Sequence, residues 1–118
     1  MTAGETAPVA SGAVSAAEAM AFAANGGLLL DVREDHEWEA GHAPDARHIP
    51  MSQLGDRIGE LSADESMLVI CHSGARSQQV TTALNDAGYS ALNVVGGMVA
   101  WQLAGGAVTE SGSQPSQA

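Results

Sequence analysis

Four apolar residues, Met67-Leu68-Val69-Ile70, run directly into the only cysteine of the chain, Cys71, then into the polar loop His72-Ser73-Gly74-Ala75 and on to Arg76 and Ser77. The apolar run predicts a buried strand. Beyond the loop, Val80, Ala83, Leu84 and Ala87 repeat at the spacing of one helical face, so a helix should begin at or just before Arg76 and stop at Gly88. At a strand–loop–helix junction, backbone N–H groups converge and the helix dipole adds partial positive charge. A cysteine held there beside Arg76 should ionise below the roughly 8.5 of a free thiol. The alternative is a small core hydrophobe at a strand end. The polar company of Cys71 marks where the core stops, which favours a nucleophile in an anion-binding cradle.

The rest of the chain supplies a frame for that junction. Ser15-Ala16-Ala17-Glu18 has capping-box spacing ahead of an alanine-rich helix that Asn25-Gly26-Gly27 stops. Leu28-Leu29-Leu30-Asp31-Val32 predicts a strand buried on both faces. Residues 33–40 are polar and compatible with a helix ending at Gly41. Pro44-Asp45 predicts a turn in which Asp45 tolerates a positive φ, and Arg47-His48-Ile49 reads as a short strand closed by Pro50. Ser52 is placed to cap a helix over 53–61, with Leu54, Ile58 and Leu61 on one stripe. A last strand is expected at 91–95, a turn at Gly96-Gly97 and a short helix at 98–103 carrying Trp101. Strands alternating with helices define an α/β domain with a mostly parallel sheet of about five short strands flanked by helices on both faces. In such sheets ligands bind beyond the carboxyl ends of the strands, where Cys71 lies. Residues 1–12 are expected to form a flexible tail, 13–108 the domain, and 109–118 a disordered tail.

Charge and composition narrow the partners. Fourteen acidic residues face four arginines and no lysine, for a net charge of −10, which argues against nucleic acid and anionic membranes as partners. The same charge repels small anions at long range, but salt screens that over about 8 Å, leaving the local donors to decide binding. One cysteine excludes an internal disulfide and a multi-cysteine metal site. His36, His42, His48 and His72 lack metal-ligand spacing, so no metal is expected. No basic signal start and no apolar run of membrane length are present, and the simplest expectation is a cytoplasmic protein.

Several segments together resemble the rhodanese domain: Asp31-Val32-Arg33-Glu34 after a buried strand, Gly41-His42-Ala43-Pro44-Asp45-Ala46 with Ile49-Pro50 further on, the loop from Cys71 to Arg76 with Ser77, and Gly96-Gly97-Met98-Val99-Ala100-Trp101. They occur in the family's order and cover roughly residues 15–108. The resemblance implies a rhodanese-like fold and sulfur transfer without a metal or organic cofactor. A Cys71 thiolate would take the outer sulfur of thiosulfate, or of a persulfide donor, and pass it from a cysteine persulfide to cyanide or a thiol. The amides of His72, Ser73, Gly74, Ala75 and Arg76 would bind the substrate. A protein sulfur donor or acceptor is a further partner, and a relay or partner-binding module is the alternative function. Phosphatases and arsenate reductases on this fold are disfavoured, because four residues rather than five separate Cys71 from Arg76. The family usually has Gly where this chain has Asp45. Its loop has one fixed cation, Arg76, where some thiosulfate-using members have more.

For individual residues two readings stand side by side. Gly74 supplies a positive φ or a close backbone approach. Arg76 binds the anionic end of the donor or braces the loop through a carboxylate. His72 is an acid or donor, or a solvated bystander. Ser77 is read as a helix-cap hydroxyl, Asp31 and Arg33 as a structural pair with Arg33 near the pocket, His42 as a turn brace, and Trp101 as core.

Overall fold

The computed structural model describes residues 12–110. Its five strands, β1 (Ala13–Val14), β2 (Leu28–Asp31), β3 (Arg47–His48), β4 (Ser66–Ile70) and β5 (Ser90–Val94), form one sheet of order β1-β5-β4-β2-β3. Every pairing is parallel. The helices are α1 (Ala16–Ala24), α2 (Asp35–Ala40), α3 (Leu54–Arg57), α4 (Ala75–Asp86) and α5 (Gly97–Leu103).

Alternation along the buried strands divides the core into two layers. Leu28, Leu30 and Val32 of the β2 segment join Met67, Val69, Val80 and Leu84 on one face. Leu29 points the other way and joins Leu68, Ile70, Val94, Met98 and Trp101. A strand covered on both sides needs apolar residues at successive positions, which is why β2 reads as an unbroken leucine run. Each fully buried leucine contributes about 1.5–3 kcal/mol relative to an exposed one. Leu54, Ile58 and Leu61 pack on the first layer, as their stripe predicts. Trp101 belongs to the second layer, and its indole N–H donates to the Ala107 carbonyl at 2.9 Å.

Several local expectations are corrected. Ser52 caps no helix: residues Met51–Gln53 and Ile58–Glu60 are 3-10 turns on either side of the four-residue α3. The Ser52 hydroxyl donates instead to Glu34 Oε1 at 2.9 Å. The turn at Pro44-Asp45 forms, with the Ala46 N–H on the Ala43 carbonyl at 3.1 Å, but Asp45 does not take a positive φ, which among described residues only glycines adopt. A turn of this kind closes without the left-handed region. The two-residue β1 was not foreseen, because so short a segment carries no periodicity. Thr109, the first residue of the expected C-terminal tail, exchanges two hydrogen bonds of 2.8 Å with the backbone of His42. Residues 1–11 and 111–118 of the two expected tails lie outside the described residues.

The connection leaving β2 runs outward to β3, whereas that leaving β4 runs the other way to β5. Divergent connections open a crevice at the carboxyl ends of β2 and β4. Arg33 follows the first of these strands and Cys71 follows the second.

Candidate active site

Cys71 ends the β4 segment and is 1% exposed. The chain then turns through Gly74, whose φ of 110° is accessible to glycine at no steric cost. A Cβ at Gly74 would also stand 3.2 Å from the Gly96 nitrogen, so the close backbone approach at this glycine is to Gly96. From the other side, the first amides of α5 bind the start of the loop: Met98 N–H donates to the Cys71 carbonyl at 2.8 Å and Val99 N–H to that of His72 at 3.1 Å. These are groups that a helix N-terminus leaves unpaired. Gly97, at φ 56°, permits the contact, since a Cβ there would collide with the Cys71 and His72 backbone.

Curling the loop in this way points donors at the sulfur. Gly74 N–H and Ser77 N–H each approach Cys71 Sγ at 3.2 Å, and the Ser77 hydroxyl lies 3.2 Å from it. Burial pushes the thiol pKa up, but hydrogen bonds from the Ser77 hydroxyl and the Ser77, Gly74 and Ser73 amides outweigh it, and the net shift is downward. Thiolate is therefore the favoured form at lower pH than in a free cysteine. Ser77 is not the expected helix cap. Gly74 holds the cap position of α4 and Ser77 is buried against the sulfur. His72 is exposed, and its side chain makes no contact with Sγ that parallels those of Gly74 and Ser77.

The two arginines near the loop are both engaged by carboxylates. Arg33 donates to Asp31 through Nε (3.0 Å) and Nη2 (2.8 Å), and Nη2 also reaches the Gly41 carbonyl at 2.7 Å. Arg76 forms a fork with Glu37, Nη1 to Oε1 at 2.7 Å and Nη2 to Oε2 at 2.8 Å. The Arg76 hydrogen bonds hold the Glu37 carboxyl down at about 2, against burial that pushes it up. Of the two roles expected for Arg76, the structure displays the brace, which ties α4 to α2. Glu37 was missed, because a partner 39 residues away leaves no local signal. Its capping-box bond to the Glu34 N–H at 3.0 Å places it at the third position of α2.

His42 is held against α2: Nδ1 lies 2.7 Å from the Trp38 carbonyl and its ring stacks on Trp38 at 3.5 Å. A hollow of about 380 Å³ opens beside the loop, lined by Arg33, Glu37, Gly41, His72, Met98 and Val99 among others. A larger one of about 640 Å³ sits at the opposite, amino-terminal end of β4 and β5, away from the sulfur. Among the described residues no group of His, Cys, Asp and Glu is arranged to hold a metal ion, and no helix is long and apolar enough to cross a membrane.

A parallel sheet that presents one buried cysteine inside a loop of inward-facing amides defines a small α/β domain in which backbone donors converge on a single sulfur. The rhodanese-like domain model matches residues 15–104, and the chain belongs to that family. It is similar to a putative sulfurtransferase, YtwF, of Bacillus subtilis, at 42% identity over 63% of this chain and 72% of that protein. It is also similar to the thiosulfate sulfurtransferase GlpE of Pseudomonas syringae, at 33% identity over 72% of this chain and 81% of that one. A crystal structure of a rhodanese-related protein from Thermoplasma volcanium superposes with a TM-score of 0.77 at 30% identity, covering 82% of this chain and 96% of the other.

Proposed function

We propose that the chain is a sulfurtransferase that carries a sulfane sulfur on Cys71 as a persulfide. The observation that carries this reading is the pair of amides, Gly74 and Ser77, directed at a single sulfur. Donors fixed in advance stabilise the anion before and after transfer without reorganisation. In the loading step the Cys71 thiolate attacks the outer sulfur of thiosulfate. A new S–S bond forms, the S–S bond of thiosulfate breaks, and sulfite leaves with the electron pair. A persulfide donor reacts in the same way with a thiolate leaving. Cyanide or a thiol then attacks the terminal sulfur and Cys71 leaves as thiolate. The cycle uses a covalent intermediate and neither a metal nor an organic cofactor. His72, Ser73, Gly74, Ala75 and Arg76 line the cradle in this reading, with Ser77 joining them and Asp31, Arg33 and His42 supporting the crevice wall.

Pairing of the arginines supports a persulfide donor, including one on a protein, over thiosulfate. Arg33 and Arg76 are each held by a carboxylate, while Arg47 donates to the Glu60 carbonyl and Arg57 to the Glu60 side chain. Both arginines beside the loop are thus charge-paired rather than open to a sulfonate end, and a relay protein is the second reading.

Intact mass after incubation with thiosulfate, and then with cyanide, tests the proposal. One added sulfur that cyanide removes is expected, and Cys71→Ser should remain folded and gain none. Sulfur transfer by Cys71→Ser would overturn the reading. Loading by a persulfide donor but not by thiosulfate would select the relay.

A further inference from the structure

The Ser77 hydroxyl has one proton and three acceptors around it: Cys71 Sγ at 3.2 Å, the Gly74 carbonyl at 3.3 Å, and Asn93 Oδ1, to which its approach is shortest. Which acceptor takes the proton follows from the orientation of the Asn93 amide. Asn93 Nδ2 faces the Gly74 carbonyl at 3.4 Å and Gln78 Oε1 at 3.4 Å. A backbone carbonyl only accepts, so the NH₂ group must point toward it and Oδ1 must point at Ser77. Oδ1 also only accepts, and Ser77 therefore donates to Asn93. The Gly74 carbonyl is a weaker competitor, because it already receives the Gln78 N–H at 3.1 Å. What Ser77 then presents to Cys71 is a lone pair, which suits a thiol S–H and not a thiolate.

We infer that Asn93 is a positioning residue that restrains ionisation of Cys71 by holding the Ser77 proton away from the sulfur. Ionisation releases the thiol proton to solvent, leaves the electron pair on Sγ, and turns the Ser77 O–H from Asn93 Oδ1 to Sγ. One hydrogen bond is exchanged for another, so the thiolate gains less than a free hydroxyl would give it. Both groups are buried, and water is not at hand to replace the lost partner. The amides of Gly74 and Ser77 have no such competing acceptor and serve both sulfur states. Asn93 thus sets how much thiolate is present, while the amides set where it sits. The inference deepens the proposed reaction and rests on it only for its consequence, since ionisation is measured without any sulfur donor and the two readings fail separately.

The test is the pH dependence of Cys71 alkylation by iodoacetamide, followed by intact mass, which a single cysteine makes unambiguous. Replacing the amide by a side chain of similar shape and no acceptor, Asn93→Leu, should raise the thiolate fraction at a fixed pH below the thiol pKa by roughly three- to tenfold, the weight of about one hydrogen bond. The gain should vanish when Asn93→Leu is made in a Ser77→Ala background. A merely structural Asn93 would give the opposite sign, because loosening the loop moves amides away from the sulfur and raises the thiol pKa. An unchanged or lowered thiolate fraction in Asn93→Leu, or a gain that persists without the Ser77 hydroxyl, overturns the inference. Asn93→Ala carries the same expectation should the leucine variant not fold.

Discussion

Asp31–Arg33 and Glu37–Arg76 are the same chemical pair placed in two different regions. In the first, both side chains are buried (0% and 6% exposed), the residues are two apart, and Arg33 Nη2 also donates to the Gly41 carbonyl. In the second, the side chains are 23% and 36% exposed, and the residues come from α2 and α4. Burial makes the first pair a fixed part of the wall, since removing one partner would strand a charge without water. Partial exposure makes the second a brace whose strength depends on its surroundings. The brace is the one that reaches the loop around Cys71, so the adjustable contact lies next to the chemistry and the unyielding one lies behind it.

The largest separation between them is expected from truncating each arginine side. Arg33→Ala leaves the Asp31 carboxylate buried and unpaired, and unfolding in urea should show a loss of about 3–5 kcal/mol. A loss below 1 kcal/mol would mean that water enters and the wall is softer than its burial implies. Glu37→Gln keeps shape and removes charge, and should lower stability by only about 1 kcal/mol. It also releases the Arg76 guanidinium toward the loop. Steady-state assay with thiosulfate should then show kcat/KM raised about fivefold, equivalent to roughly 1 kcal/mol of binding to an anionic end. A decrease would show that the brace matters more to the loop than the freed cation does to the donor.

The smallest effect is a pH signature. Glu37 has its pKa lowered from 4.5 to about 2 by the Arg76 hydrogen bonds against burial. A carboxylate shifted down contributes stability that is complete above its unfolded value and is lost as pH falls through the folded one. The stability difference between the native chain and Glu37→Gln should therefore be constant above about pH 5 and shrink between about pH 4.5 and 2. Other carboxylates titrate in both proteins and cancel. A difference that does not shrink in that window would place the stabilisation elsewhere than in the ion pair.

Much of this molecule was readable before any coordinates. The Leu28 to Leu30 run and the Met67 to Ile70 run identified the central strands because burial on both faces removes polar positions altogether. Gly74 and Cys71 announced the loop because a polar, glycine-containing junction interrupts an apolar pattern. What escaped were contacts made across the fold. Glu37 looked like any acid on a polar helix, and only the closure of α2 on α4 gives it Arg76. Asn93 did leave a trace, a lone amide inside Ala91-Leu92-Asn93-Val94, and a buried polar residue in a strand calls for a partner. Ser52 misled for the opposite reason: its hydroxyl fits a cap locally, but Glu34 offers a better partner 18 residues away.

The order of the sheet also bears on how the protein behaves at high concentration. Among the described residues the two outermost strands, β1 and β3, are two residues long, whereas the strands they flank run to four and five. An open strand edge is a template on which a second chain can add, and its hazard grows with the length of unpaired backbone it displays. Within the described residues each edge offers a stub too short to register a neighbour. The long, apolar, aggregation-prone strands are enclosed between these stubs, and like charge on a chain of net −10 discourages the approach of another copy.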